Sequence, residues 1–246
     1  MDVMEDRQSN QAKDPETIVT VCTYCDEPAT DKDHVPPKLL FPPPRGTMVT
    51  VPACRSCNGR FGRDDEYARL VFSVDHRTGD HASIGQLWPT VLRSLQKPEA
   101  PKFKGLLTNT LQPTLIQQKN GLVVPTGVFE ADLARLKNWT ARILRGLYRD
   151  MMGDRLPLDV YVRSIWEDDL RDMPPAAREQ LGTAVIAPVL LQQEHVIQGG
   201  EFRYRLLTAD GDRFSGVMLM MFYDALPVLV MFQSPEARRL GANGPK

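Results

Sequence analysis

The feature that most restricts how this chain can fold is the arrangement of its cysteines. The protein has four, and they form two Cys-x-x-Cys motifs, Cys22-Thr-Tyr-Cys25 and Cys54-Arg-Ser-Cys57. Each motif places two thiolates on one tight turn, and two such turns complete a tetrahedral shell around Zn²⁺. Because all four ligands would be sulfur, this zinc has no open position for a substrate and is structural. We therefore predict that the two motifs fold together around zinc.

Two other roles for the cysteines stay open, ordinary buried thiols and a redox pair. The motifs are separated by 28 residues, which matches a zinc site better than a thioredoxin-like motif. The N-terminal sequence is acidic and polar, unlike a signal peptide, and no apolar run reaches the ~20 residues that span a bilayer. We expect no membrane partner and a cytoplasmic location, a reducing setting in which paired cysteines bind metal.

Length predicts one large domain or two small ones, and the helices and antiparallel sheet predicted below make the fold class α+β. The chain has 246 residues, of which 42% are hydrophobic and 25% are charged. These values are ordinary for a globular protein and exclude disordered, collagen-like and fibrous classes. We divide the chain into five segments. They are a flexible tail (1–17), a zinc module (18–75), a helical and irregular linker (76–126), a lobe of one helix plus an antiparallel sheet (127–235) and a second tail (236–246).

The spacing of apolar residues predicts the main helices and strands. Prolines crowd the segment 35–47 and predict a fixed loop. Apolar residues at intervals of three and four predict helices over 64–74 and 84–96, and a long helix from Phe129 that ends at Gly153. Runs of strand character predict an antiparallel sheet packed on the long helix: residues 183–192, 202–208, 214–223 and 228–232.

An Asp-His pair between the motifs and an asparagine after the second motif have the chemistry of a catalytic metal site. Carboxylate and amide oxygens suit Mg²⁺ or Mn²⁺, so Asp33 and Asn58 are candidate ligands. A neutral imidazole at His34 can take a proton from water as a general base. Adjacent side chains of a strand point to opposite sides, so a bend at Val35-Pro36 must re-aim Asp33 or His34 for both to serve one site.

In this order, these residues resemble the HNH (ββα-metal) endonucleases, in the subclass that binds zinc through two Cys-x-x-Cys motifs. The resemblance lies in Asp33-His34-Val35-Pro36-Pro37 and Cys54-Arg55-Ser56-Cys57-Asn58, and it covers roughly residues 20–70. It implies a ββα-metal fold for this segment and hydrolysis of DNA phosphodiester bonds. His34 would be the base, and Asp33 and Asn58 would hold the divalent ion that stabilises charge on the phosphate.

The charge of the chain limits where nucleic acid can bind. A net charge of -1 and a pI near 6.4 argue against a protein that coats nucleic acid generally. A local group of basic residues lies within or just after the cysteine segment, and we expect it to contact phosphate groups: Lys38, Arg55, Arg60 and Arg63. Simple solvation of these side chains is the alternative.

The chain departs from the HNH pattern at one place. The family usually has a middle Asn shortly before the second cysteine motif, where it ties the proline-rich loop, and this chain reads Val49-Thr50-Val51 there. The departure and the low pI favour a rival interpretation, a catalytically impaired zinc scaffold that binds nucleic acid or protein. The Asp33-His34 pair favours the interpretation as an enzyme. Asn58 has an alternative role as a helix cap. The C-terminal lobe has no recognisable DNA-reading motif, so we expect it to form a homodimer or to bind a regulatory partner that controls the nuclease.

Overall fold

The computed structural model of the protein describes residues 20–96, 111–117 and 121–242. These residues form a mixture of helices and antiparallel sheets, which confirms the predicted α+β class. Within the described ranges, no helix is long and apolar enough to cross a membrane. The predicted tail at 1–17 and part of the predicted linker lie outside these ranges.

The segment that holds the cysteines folds as two short strands followed by a helix. Strand β1 (Asp31–His34) pairs antiparallel with β2 (Thr50–Ala53), and the proline-rich loop joins them. This loop contains a short 3-10 helix (Lys38–Leu40) and a cis peptide bond at Val35-Pro36. Helix α1 (Arg55–Val74) begins directly after β2. The first cysteine motif therefore precedes β1, and the second starts α1.

Helix α1 is longer than the sequence predicts. The predicted helix covers only 64–74, whereas the second cysteine motif forms the first turn of the observed one. Cys54 is the N-cap, because its Sγ accepts a hydrogen bond from the Cys57 N–H at 3.3 Å. Asp64 and Asp65 consequently lie in the middle of the helix and do not form its first turn.

A second helix and a β-hairpin follow. Helix α2 (Ala82–Gln96) agrees with the helix predicted over 84–96 and contacts α1. Strands β3 (Gln112–Gln117) and β4 (Val123–Val128) pair antiparallel. The sequence does not predict β3, because Pro113 obscures its strand character.

The C-terminal part consists of one long helix against a five-stranded sheet. Helix α3 (Leu133–Met152) is capped by Asp132 and ends at Gly153, which has a φ of +70. This end agrees with the predicted one, since glycine adopts the left-handed conformation without strain. The sheet is antiparallel with the order β5–β9–β8–β7–β6, and its strands are β5 (Tyr161–Ile165), β6 (His195–Ile197), β7 (Phe202–Ala209), β8 (Asp212–Phe222) and β9 (Leu226–Gln233). Helix α7 (Pro235–Ala242) occupies much of the stretch predicted as a tail.

The strand predicted over 183–192 is wrong, because most of this segment is helical. The helical run consists of α4 (Glu167–Asp172), α5 (Pro175–Leu181), a π-helical turn (Gly182–Ile186) and α6 (Ala187–Leu190). Leu181, Val185 and Val189 recur every four residues and pack against Val217 and Leu229 of the sheet. The β-branched residues of 183–192 suggested a strand, but the four-residue spacing lets one face of the helical run cover the sheet.

One hydrophobic core joins the cysteine segment to the C-terminal lobe. Val35 and Phe41 of the loop and Phe72 of α1 lie in the same buried cluster as Trp139 of α3 and Phe222 of β8. The Phe72 ring is 5.6 Å from the Trp139 ring and 5.0 Å from the Phe222 ring. The segments predicted as 18–75 and 127–235 therefore share one core.

Candidate metal centre and adjoining polar site

The four cysteines are positioned to bind a structural metal such as zinc. Their sulfur atoms all lie within 4.8 Å of one another, and they are the one group with such geometry in the part of the chain that is described. Cys25 Sγ is 3.6 Å from both Cys54 Sγ and Cys57 Sγ. Tetrahedral zinc with Zn–S bonds of ~2.3 Å needs sulfur atoms ~3.8 Å apart. The cluster therefore fits zinc in both donor type and spacing.

The surroundings of Cys54 favour its thiolate, the form of cysteine that binds zinc, whereas burial raises the pKa of Cys57. The hydrogen bond from the Cys57 N–H lowers the pKa of Cys54 to about 7. The Tyr24 N–H donates to Cys22 Sγ at 3.4 Å, and Arg60 Nη2 lies 3.9 Å from Cys57 Sγ. The N-terminus of α1 adds its positive end at the same place. Local charge and sulfur geometry thus point to the same role.

Asp33 lies on the buried side of β1. Its Oδ2 accepts a hydrogen bond from the Tyr24 hydroxyl at 2.7 Å and lies 3.7 Å from Arg142 Nη1. Burial, followed by the nearby Asp33 carboxylate, raises the pKa of Tyr24, so the phenol keeps its proton and donates it. A phenol and a guanidinium therefore hold the carboxylate that the sequence suggests as a metal ligand.

Arg142 of α3 links Asp33 to Asp65 of α1. Its Nη2 donates to Asp65 Oδ1 at 2.5 Å, and Trp139 Nε1 donates to the same oxygen at 2.8 Å. The Phe61 ring packs against the guanidinium, with 4.4 Å between the ring centre and Cζ. Burial raises the pKa of Asp65 to about 6, although Arg142 and Trp139 act to lower it. Sequence reasoning missed this network, because its members are far apart along the chain and follow no spacing rule.

Asn58 and His34 lie nearer the surface. Asn58 Nδ2 donates to Asp31 Oδ2 at 2.8 Å, and this bond is the main reason that the pKa of Asp31 is lowered. His34 is half-buried at the end of β1. Burial, followed by the positive charge of Lys38, lowers the pKa of His34, with a smaller lowering effect from Arg45. The imidazole is therefore neutral at pH 7, as a general base requires.

The structure brings the predicted catalytic residues together only in part. The Asn58 amide bonds to Asp31, whereas Asp33 bonds to Tyr24 and lies beside Arg142. Asp33 and Asn58 therefore have separate partners in this structure. No sequence pattern singled out Asp31, an exposed residue at the start of β1.

The basic residues predicted to contact phosphate are all exposed. Lys38 lies in the loop after His34, and the other three project from the first turns of α1: Arg55, Arg60 and Arg63. The Arg60 guanidinium also lies 5.3 Å from the centre of the Phe61 ring. We call these four exposed side chains the basic surface, and Lys38 is the member whose positive charge lowers the pKa of His34.

Hydrogen bonds within the proline-rich loop fix its shape. Arg45 Nε donates to the backbone carbonyls of Lys38 and Phe41, at 2.8 Å and 2.9 Å. At its start, the Val35 N–H donates to the Val49 carbonyl at 3.0 Å. The basic side chains that influence His34 therefore belong to a loop of defined conformation.

Comparison of the whole chain with protein-family models, curated proteins and solved structures gave no significant match. The interpretation of the site therefore depends on its own geometry and chemistry.

Proposed function

We propose that this protein is a metal-dependent endonuclease of the HNH type that hydrolyses phosphodiester bonds in DNA. The observation that carries the proposal is the position of His34, half-buried at the end of β1, a strand that pairs with β2 beside the four-cysteine cluster. In the proposed reaction His34 accepts a proton from the attacking water. A divalent ion, Mg²⁺ or Mn²⁺, stabilises the charge that develops on the phosphate and on the leaving oxygen.

Asp33 and Asn58 are the proposed ligands of the divalent ion. The Asn58 Nδ2 atom bonds to Asp31, so the amide oxygen of Asn58 is the atom proposed to bind. Tyr24 and Arg142 both approach Oδ2 of Asp33, which makes its Oδ1 the proposed ligand atom. Two protein ligands suffice for Mg²⁺, which keeps several waters that phosphate oxygens can replace.

The exposed basic surface would bind the DNA backbone. Phosphate contacts from Lys and Arg position a duplex without reading its sequence, and they make binding sensitive to salt. Its proposed members are Lys38, Arg55, Arg60 and Arg63. Since the net charge of the chain is only -1, binding would be local to this surface.

A plasmid-cleavage assay tests the enzyme directly. The wild-type protein should nick supercoiled plasmid in Mg²⁺ or Mn²⁺, and His34→Ala should be slower by about 10² to 10⁴-fold, the usual contribution of a general base. His76→Ala is the matched control, because the His76 side chain is 81% exposed and lies in another loop. Absence of cleavage by the wild-type protein would refute the proposal.

The ion's ligands can be separated by titrating Mg²⁺ into single variants. Asp33→Asn and Asn58→Ala should each raise the Mg²⁺ concentration needed for half-maximal cleavage, because each removes a proposed ligand. Asp31→Asn is the comparison, since Asp31 bonds to Asn58 but is not a proposed ligand. A larger effect of Asp31→Asn than of Asp33→Asn would move the ion to the Asp31–Asn58 pair.

A second candidate function is a zinc-braced module that binds nucleic acid or protein without cleaving it. The contacts of Asp33 favour it, because Tyr24 and Arg142 hold this carboxylate in a structural role. Fluorescence anisotropy with labelled DNA in EDTA-free buffer would distinguish the two. Binding that weakens with salt and in Arg55→Ala, without cleavage in any divalent metal, would support the binding module.

A further inference from the structure

The proline-rich loop is held by a side chain from the other end of the chain. Gln198 follows β6 in a short turn (Gln198–Gly200) and reaches Gly46 of the loop. The Gly46 N–H donates to Gln198 Oε1 at 3.0 Å, and Gln198 Nε2 donates to the Gly46 carbonyl at 3.1 Å. The Gln198 amide also lies against the Met48 sulfur. One side-chain amide thus pairs with both polar groups of one backbone residue.

The backbone at Gln198 has a conformation that is unfavourable for glutamine. Its φ is +55, in the left-handed region that glycine adopts readily and most other residues avoid. The next two residues in the turn are glycines, Gly199 and Gly200, also with positive φ. Strain of this kind persists where the surrounding structure compensates for it. The double hydrogen bond to Gly46 is the compensation that the structure offers.

A second anchor, Tyr223, comes from the same sheet and has the same backbone character. Tyr223 has a φ of +52, and its buried hydroxyl donates to the Leu40 carbonyl at 2.5 Å. Leu40 and Gly46 lie on either side of the loop's proline cluster. The C-terminal lobe therefore holds the loop at two points, and Lys38 lies just before the first of them.

We propose that Gln198 is a positioning residue that clamps the proline-rich loop at Gly46 and so fixes the loop relative to His34. The clamp gives the C-terminal lobe a defined role in the nucleic-acid site, although the lobe contributes none of the proposed catalytic groups. Gln198 supplies a side-chain amide that bonds to the loop. The residues that follow the loop, Val49-Thr50-Val51, have no amide side chain. The inference rests on the proposed function only for its catalytic readout.

Replacement of Gln198 by glycine isolates the clamp. Gln198→Gly removes both hydrogen bonds to Gly46 and also relieves the left-handed backbone, so the fold is expected to persist. Gln198→Asn keeps an amide and tolerates positive φ, but it is one methylene shorter. Gln180→Ala is the control, because Gln180 is an exposed glutamine of the C-terminal half that lies in helix α5.

The loop is then followed in the full-length chain by amide hydrogen exchange at Gly46 and by trypsin cleavage after Arg45. In Gln198→Gly and Gln198→Asn, exchange at Gly46 should become about tenfold faster, the effect of losing roughly one net hydrogen bond. Cleavage after Arg45 should accelerate as well. In the plasmid assay both variants should show a lower kcat with little change in KM, whereas Gln180→Ala should match the wild type.

Each outcome decides one part of the proposal. Unchanged exchange at Gly46 in Gln198→Gly would refute the clamp, whatever happens to plasmid cleavage. Faster exchange with undiminished cleavage would refute the positioning role. A wild-type protein that cleaves no DNA would refute the proposed function together with this catalytic role, while exchange at Gly46 would still decide the clamp.

Discussion

The Arg142 guanidinium lies 3.7 Å from the Asp33 carboxylate, which ties the long helix α3 to strand β1. The same guanidinium pairs with Asp65 of α1 at 2.5 Å. One side chain from the C-terminal half therefore connects two acidic residues of the cysteine segment. Asp33 contributes to the folded structure through this contact, independently of any role in catalysis.

Loss of Arg142 should strongly destabilise the protein. Arg142→Met would leave the carboxylates of Asp33 and Asp65 buried without their cation, which typically costs about 3 to 5 kcal/mol. The free energy of unfolding can be measured by urea denaturation. Arg171→Met is the control, since the Arg171 side chain is 69% exposed. Its surface ion pairs should contribute no more than about 1 kcal/mol to the free energy of unfolding. Equal effects of the two substitutions would contradict a structural role for the network.

The stability of the protein should depend on pH through Asp65. The folded pKa of Asp65, about 6, is above its ordinary value of 3.8, so the folded state binds the proton more tightly. The resulting stabilisation is complete below about pH 4 and is lost as the pH rises through about 6. Relative to Asp65→Asn, the wild-type protein should lose roughly 3 kcal/mol over this range. A difference between the two unfolding free energies that stays constant with pH would disprove this.

Purified protein should contain about one zinc per chain, and zinc removal should destabilise the whole chain. Ala53 and Cys54 at the end of β2 pack with the other cysteines, and β2 and α1 also contribute to the main core. Cys57→Ser should therefore lose zinc and lower the Tm, as measured by elemental analysis and calorimetry. Ser56→Ala, an exposed change in the same motif, should do neither. Retention of full zinc by Cys57→Ser would overturn the ligand assignment.

Gly146 of α3 should not tolerate alanine. A Cβ there would lie 2.5 Å from Val35 Cγ2 and 3.1 Å from the Tyr24 hydroxyl. Overpacking of this kind costs about 1 to 3 kcal/mol. Gly85→Ala in α2 is the control, because nothing lies within 4 Å of its added Cβ, and it should stabilise the protein by about 0.5 to 1 kcal/mol. If denaturation shows that both substitutions stabilise, the close approach of α3 to Val35, at the start of the proline-rich loop, is wrong.

Patterns of nearby residues in the sequence predicted the features that depend on nearby residues, the cysteine cluster and the long helix. The cysteine spacing identified a cluster that now shows zinc-like geometry, and helical spacing identified α3 together with its end at Gly153. The segment 183–192 misled because its β-branched composition outweighed a four-residue spacing.

Contacts between distant parts of the chain had no such signal. Gln198 and Gly46 are 152 positions apart, and neither belongs to a recognisable motif. The partners of Asp33 were equally hidden, since Tyr24 stands inside a cysteine motif and Arg142 inside an amphipathic helix. Tertiary packing alone decided which side chains would reach the Asp33 carboxylate.

The shared core determines how the chain can be divided. Phe72 of α1 packs on Trp139 and Phe222, which come from the C-terminal half. A fragment limited to residues 18–75 would expose this apolar surface to water and would tend to aggregate. The cysteine segment is therefore not expected to fold when it is moved alone into another protein. Recombination, natural or engineered, would have to transfer the C-terminal lobe with it.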